Sequence, residues 1–216
     1  MRPLMLLPYC CACLVNVLSC ALNRQTLRQA FKVLLLPLLF FAYYRSSHPV
    51  ALTLTAALIL GWIGDILLIR PGVIWRRLLG TAAFAVGHCF YIAEMIRRLP
   101  AAPGALPAVV TALVWLAVAA ALYLFLLCPV TDKDMRLPLG GYFLLLAALG
   151  VFGTLLTLSG VRGGVFLAAG AVFFLASDTV LSRQLFTVGD PAPKFDAVVM
   201  LTYTIAQGLL IWGFCR

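Results

Sequence analysis

Two aspartates sit inside apolar runs long enough to cross a membrane: Asp65 in "LGWIGDILLIRP" (60–71) and Asp178 in "FFLASDTVLSR" (173–183). An ionisable side chain in hydrocarbon is costly and marks a site that binds, conducts or reacts. Two carboxyls can do acid/base chemistry, one giving a proton while the other activates water or steadies a developing cation. The same pair can relay protons or cations across a bilayer. Metal hydrolysis is poorly served, because the chain has only His48 and His88, and His48 falls in the loop "SSHPV" on the other side. A histidine-rich zinc site cannot be built from these. "CCAC" at 10–13 lies in the first apolar run without a second ligand cluster. Ser177 adjoins Asp178 but has no histidine at its depth, so a Ser-His-Asp set does not form. No metal or other cofactor is called for.

The elements that position these residues are membrane helices. Of 216 residues, 64% are hydrophobic and 11% charged, with a mean hydropathy of +1.07, whereas soluble domains are about half apolar and a quarter charged. The pattern predicts an all-α polytopic transmembrane bundle in a single domain, 1–216. Eight apolar runs serve as spans: about 4–22, 31–44, 50–69, 78–96, 105–127, 138–158, 164–182 and 196–214, the second being short. The first is expected to be retained and not cleaved as a signal peptide. The seven cysteines mostly fall inside these runs and read as small hydrophobes. A formal charge of +9 is then a topology signal and not a nucleic-acid footprint. Odd loops hold 10 Lys and Arg residues against 6 on the other side, which leans the odd loops to the cytoplasm.

"LTAALILGWIGDILLIR" (54–70) and "LAAGAVFFLASDTVLSR" (167–183) share Leu, Ala, Asp, Leu and Arg at one offset. Spans three and seven run in the same direction, as in a four-plus-four parallel repeat. Each aspartate lies five residues before an arginine, Arg70 or Arg183, so both carboxyls sit roughly 7 Å below one surface at 1.5 Å per residue. Lys32, Tyr142 and Tyr203 begin their spans on that same side, with Gln207 one turn beyond Tyr203. In "GHCFYIAE", His88, Tyr91 and Glu94 recur at intervals of three along one face, His88 near mid-membrane and Glu94 near the opposite surface. Asp65 and Asp178 are therefore the catalytic candidates, and Lys32, His88, Tyr91, Tyr142, Tyr203 and Gln207 the candidates for binding substrate. Plainer readings exist for each. The tyrosines suit an interfacial belt, Lys32 and Glu94 suit snorkelling to headgroups, His88 suits an interhelical hydrogen bond, and the aspartates suit structural ion pairs.

With these residues in place, the chain resembles the lysoplasmalogenase-like YhhN membrane family. The resemblance runs through "FK" in the second span, "GD" before leucines in the third and "GHCFY" in the fourth. It continues with a tyrosine opening the sixth, "SD" in the seventh and "TYTIAQ" in the eighth. One departure is that Val33 follows Lys32 where relatives often carry proline; here Pro37 comes later. The resemblance implies hydrolysis of the vinyl ether bond of lysoplasmalogens to a fatty aldehyde and a glycerophospho-headgroup alcohol. Vinyl ethers break by protonation at carbon, and the two aspartates would supply the acid and the anion, as two carboxyls do in glycosidases. The expected partners are a lyso-ether phospholipid and the surrounding membrane lipids, with no nucleic acid and with room for a homodimer. The expected place is a plasma membrane in a bacterium or an endomembrane in a eukaryote. A proton-coupled transporter using the same aspartates, and a non-catalytic lipid-binding protein, stand as the alternatives.

Overall fold

With no water in the bilayer core, each crossing segment must satisfy its own backbone hydrogen bonds, and helices do so. The computed structural model describes residues 3–47, 49–69, 72–100, 104–186 and 193–216. Eight helices follow in order: α1 (Leu7–Ala21), α2 (Gln25–Ser46), α3 (Leu52–Leu67), α4 (Ile74–Arg98), α5 (Ala105–Ala121), α6 (Lys133–Leu158), α7 (Gly164–Phe186) and α8 (Pro193–Phe214). A short 3-10 turn, Pro3–Leu6, leads into α1, and a π-helical turn, Leu122–Leu127, extends α5. Arg2, His48, Arg70 and Pro103 lie outside the described residues, as does the side chain of Lys194. Among the described residues seven helices are long and apolar enough to cross a membrane. The protein is a multi-pass helical membrane bundle.

Helix lengths differ from the apolar runs in one instructive way. α2 is not short: it runs for 22 residues, whereas α3 has only 16. Arg28 and Lys32 lie within α2, Arg136 within α6 and Arg183 within α7, where charge alone placed them at or beyond the span ends. Long cationic side chains lay their stems along apolar surface and leave the helix unbroken.

The packing order closes a ring. α1 packs on α2, α2 on α3, α3 on α4, α4 on α6, α6 on α7, α7 on α8, and α8 returns to α1. α5 stands outside, against α6, with most of its surface uncovered. In a four-plus-four arrangement the α4–α6 contact is equivalent to α8–α2, and both occur. The partner of the α1–α8 contact would be α5 on α4, yet α5 leans on α6 instead, so the repeat is incomplete in packing. The interior of the ring is lined by fully buried Leu36, Leu39, Leu54, Leu146, Phe174 and Leu210.

Two local devices bring α2, α3 and α4 together. Pro37 has no N–H to offer the carbonyl of Val33 four residues back. The Trp62 indole of α3 donates to that carbonyl at 2.9 Å, which satisfies it and ties α3 to α2 beside Lys32. On the other flank, a Cβ on Gly64 would come within 2.8 Å of the Phe84 ring, and one on Gly87 within 3.3 Å of the Ala57 carbonyl. Glycine at these places permits close approach of α3 and α4.

Glu94 does not snorkel. Its side chain is fully buried and accepts hydrogen bonds from Thr53 Oγ1 at 2.8 Å, Arg98 Nε at 2.8 Å and Arg97 Nη2 at 2.6 Å. Arg98 also donates to the Phe214 carbonyl at 2.6 Å, so the cluster joins the start of α3 to the ends of α4 and α8. Glu94→Ala is expected to cost about 1–3 kcal/mol, the scale for stripping partners from buried polar groups. Most of that comes through Thr53 and Arg98, since Arg97 is 64% exposed. Thermal unfolding in detergent checks it; an unchanged midpoint would show the cluster to be dispensable.

Candidate active site

Of the sequence-selected polar residues, Lys32 and Tyr203 meet Asp65 and Tyr142 meets Asp178; Gln207 joins through Tyr203, Tyr91 through Gln207, and His88 lies beside the Tyr142 ring. Asp65, on α3 and 2% exposed, is held from two sides. Lys32 Nζ of α2 lies 3.5 Å from its Oδ1, and the Tyr203 hydroxyl of α8 donates to its Oδ2 at 2.7 Å. Gln207, one turn below Tyr203, donates Nε2 to the Tyr203 hydroxyl at 3.4 Å and accepts from the Tyr91 hydroxyl of α4 at 2.7 Å. The donors thus point in sequence toward Asp65. Gln207 thus has a phenol at each end of its amide, which fixes its orientation.

Asp178, on α7 and 4% exposed, has a different environment. The Tyr142 hydroxyl of α6 donates to its Oδ2 at 2.5 Å. Among the described residues no cation pairs with it. The two carboxyls are within electrostatic reach of each other. One carboxyl therefore has an ammonium and a phenol, the other a phenol alone.

Aromatic rings connect the two. The Tyr203 ring stands edge-on to Phe84 at 5.8 Å and to Phe174 at 5.7 Å. Phe174 meets His88 edge-on at 4.6 Å, and His88 lies 5.9 Å from the Tyr142 ring. An arc from Tyr203 through Phe174 and His88 to Tyr142 runs from the phenol on Asp65 to the phenol on Asp178. His88 is 1% exposed, and among the described residues neither ring nitrogen has a hydrogen-bond partner. Its ring leans on the Phe84 carbonyl one turn back without reaching bonding geometry. Ser177 donates to the Val199 carbonyl at 3.2 Å and takes no part.

Three groups at the site were not singled out from sequence: Phe84, Phe174 and the cation Arg28. Each lies one helical turn from a residue that was, namely His88, Asp178 and Lys32. Residues four apart share a face, and that spacing was the available signal. Tyr142 and Tyr203 are buried carboxyl donors and not belt aromatics.

A closed ring of apolar helices around two buried carboxyls, each bonded to a tyrosine, defines a polytopic helical membrane protein with a polar cluster in its interior. The YhhN family model matches residues 27–214, and the chain belongs to that family. A human lysoplasmalogenase, TMEM86B, is 31% identical over 76% of this chain and 63% of its own length. Its mouse counterpart is 35% identical over the same shares. A lysoplasmalogenase of Mycobacterium bovis is 31% identical over 87% of this chain and 70% of its own length. The chain thus spans somewhat under two thirds of the mammalian relatives. No solved structure matches it significantly.

Proposed function

We propose that the protein hydrolyses the vinyl ether bond of lysoplasmalogens within the membrane, with Asp178 as proton donor and Asp65 as the anion that activates water. The observation that carries the assignment is the unequal partnering of the carboxyls. Lys32 and Tyr203 suit Asp65 to carry negative charge, since an adjacent cation and a donated hydrogen bond both favour the ionised form. Asp178 has no such cation and is the carboxyl suited to hold and give a proton. The names of the relatives, lysoplasmalogenases of human, mouse and mycobacterial origin, support the same substrate.

The chemistry then balances through the pair. Asp178 protonates the alkenyl carbon that is not bonded to oxygen, and the double-bond electrons form an oxocarbenium ion. Ring faces along the arc of Tyr203, Phe174, His88 and Tyr142 would attract that cation, by about 0.5–2 kcal/mol per well-placed face. Asp65 takes a proton from water as the water oxygen bonds the cationic carbon, giving a hemiacetal. On collapse, the hemiacetal hydroxyl returns a proton to Asp178, and the glyceryl oxygen leaves with the proton from Asp65. Both carboxyls end as they began. In this reading the ring nitrogens of His88 hold the water or the ether oxygen.

The test is aldehyde release by the purified protein in detergent or nanodiscs. Lysoplasmalogen is expected to yield aldehyde stoichiometrically with glycerophospho-headgroup alcohol, while the lysophospholipid with an acyl ester in the same place yields neither. Absence of aldehyde across headgroups and pH would overturn the proposal and leave proton-coupled transport by the same aspartates as the next reading. No observation in the packing favours that reading at present.

A further inference from the structure

One charged feature beside the site has no part in the chemistry above. Arg28, four residues before Lys32, donates to Asp196 of α8 and forms an ion pair with it; the side chains are 23% and 34% exposed. Four residues on α2 correspond to about 6 Å along its axis, and the seven from Asp196 to Tyr203 to about 10 Å along α8, two turns on one face. The two helices touch. Between them they therefore carry two rungs. The outer rung is Arg28 with Asp196; the inner rung is Lys32 and Tyr203 on Asp65. Asn16 of α1 is fully buried, its amide donates to the Arg28 carbonyl at 2.8 Å, and among the described residues its Oδ1 has no partner.

We propose that the outer rung is the subsite for a zwitterionic phospholipid headgroup, Arg28 taking the phosphate and Asp196 the ammonium. This rests on the proposed hydrolysis for its substrate and names what that substrate carries. A partly exposed Arg–Asp pair is self-neutralising in the free protein and presents both charges to a ligand that is itself a phosphate–ammonium pair. Guanidinium matches phosphate in geometry, and the carboxylate and the unpaired Asn16 Oδ1 are acceptors for ammonium N–H or choline methyl groups. Distance fits as well. The glycerol spacer between an sn-1 ether oxygen and an sn-3 phosphorus extends to about 6 Å at ordinary bond lengths, the same as the step from Lys32 to Arg28. Holding the headgroup on the outer rung sets the vinyl ether between the carboxyls.

The test separates binding from turnover. The probes are saturated lyso-ether lipids, which lack the vinyl bond: one with phosphoethanolamine, one with phosphoglycerol and one with no phosphate. Binding to the full-length protein in nanodiscs is read by intrinsic fluorescence. Arg28→Gln is expected to weaken both phosphate-bearing lipids tenfold or more and to leave the neutral one unchanged. Asp196→Asn is expected to weaken the phosphoethanolamine lipid alone. Should either single variant fold poorly through its unpaired partner, the Arg28→Gln/Asp196→Asn double variant keeps the test, since it is expected to bind all three lipids alike. Equal weakening of all three lipids, no weakening of any, or no binding of the phosphoethanolamine lipid to wild type would each overturn the subsite. A wild-type protein that binds with this pattern yet releases no aldehyde from the vinyl ether would overturn the hydrolase and leave the subsite standing.

Discussion

Asp178→Asn is expected to lower kcat/KM for aldehyde release by a hundredfold or more, the usual range for loss of a positioned acid or base being about 10²–10⁴. Asparagine keeps the shape and an oxygen to accept from Tyr142, so the loss reports the missing proton and not a collapsed site. Asp65→Asn is expected to fall by a similar factor for a different reason, since the amide neither carries charge nor takes a proton from water. That variant also leaves Lys32, whose side chain is only 16% exposed, without its anion. An unpaired cation there costs stability. The Lys32→Gln/Asp65→Asn double variant separates the two effects: its thermal midpoint should recover while aldehyde release stays low. Folded variants turning over at the wild-type rate would remove the carboxyls from the chemistry. Loss at Asp65 with full activity at Asp178 would move the proton donor elsewhere.

The contrast between the carboxyls was not legible in the chain alone. Sequence placed Lys32, Tyr142 and Tyr203 at the right end of their spans, because span order and depth follow from hydropathy. Which of them meets which aspartate depends on the ring order, and α5 stepping out to lie on α6 decides it. With α5 absent from the ring, α4 meets α6 directly and His88 comes beside Tyr142. The composition of α5 did carry a signal: its span is the most apolar of the seven and has no charged residue, which suits a helix that faces lipid. The lengths of α2 and α3 were misjudged for a related reason. A run of apolar residues measures where lipid can be, whereas the helix continues wherever its backbone bonds do, through Arg28 and Lys32 at one end. Pro37 was visible as a break in the ladder, but its remedy by Trp62 needed the neighbouring helix. The aspartates themselves were the most legible feature, since a lone charge in hydrocarbon has few innocent explanations.

Isotopes in the solvent carry the remaining large prediction. If Asp178 transfers a proton to carbon in the slow step, turnover in D2O is expected to be severalfold slower than in H2O under saturating substrate. In water enriched with heavy oxygen, the glycerophospho-headgroup product is expected to carry none of the label, because the glyceryl C–O bond survives and water bonds the alkenyl side. Reading the glycerol product avoids the exchange that aldehydes undergo with water. The opposite result, heavy oxygen in the glycerol product, would place attack at the glycerol carbon. Asp65 would then activate a nucleophile with no cation to stabilise, and the aromatic arc from Tyr203 to Tyr142 would have no role in the reaction. The expected result instead requires a cation adjacent to oxygen, formed beside the carboxyl that Lys32 and Tyr203 contact and among aromatic rings whose faces attract positive charge. On the proposed mechanism a vinyl ether, easily protonated, is opened, whereas its saturated analogue cannot form the cation and is expected to bind without turning over.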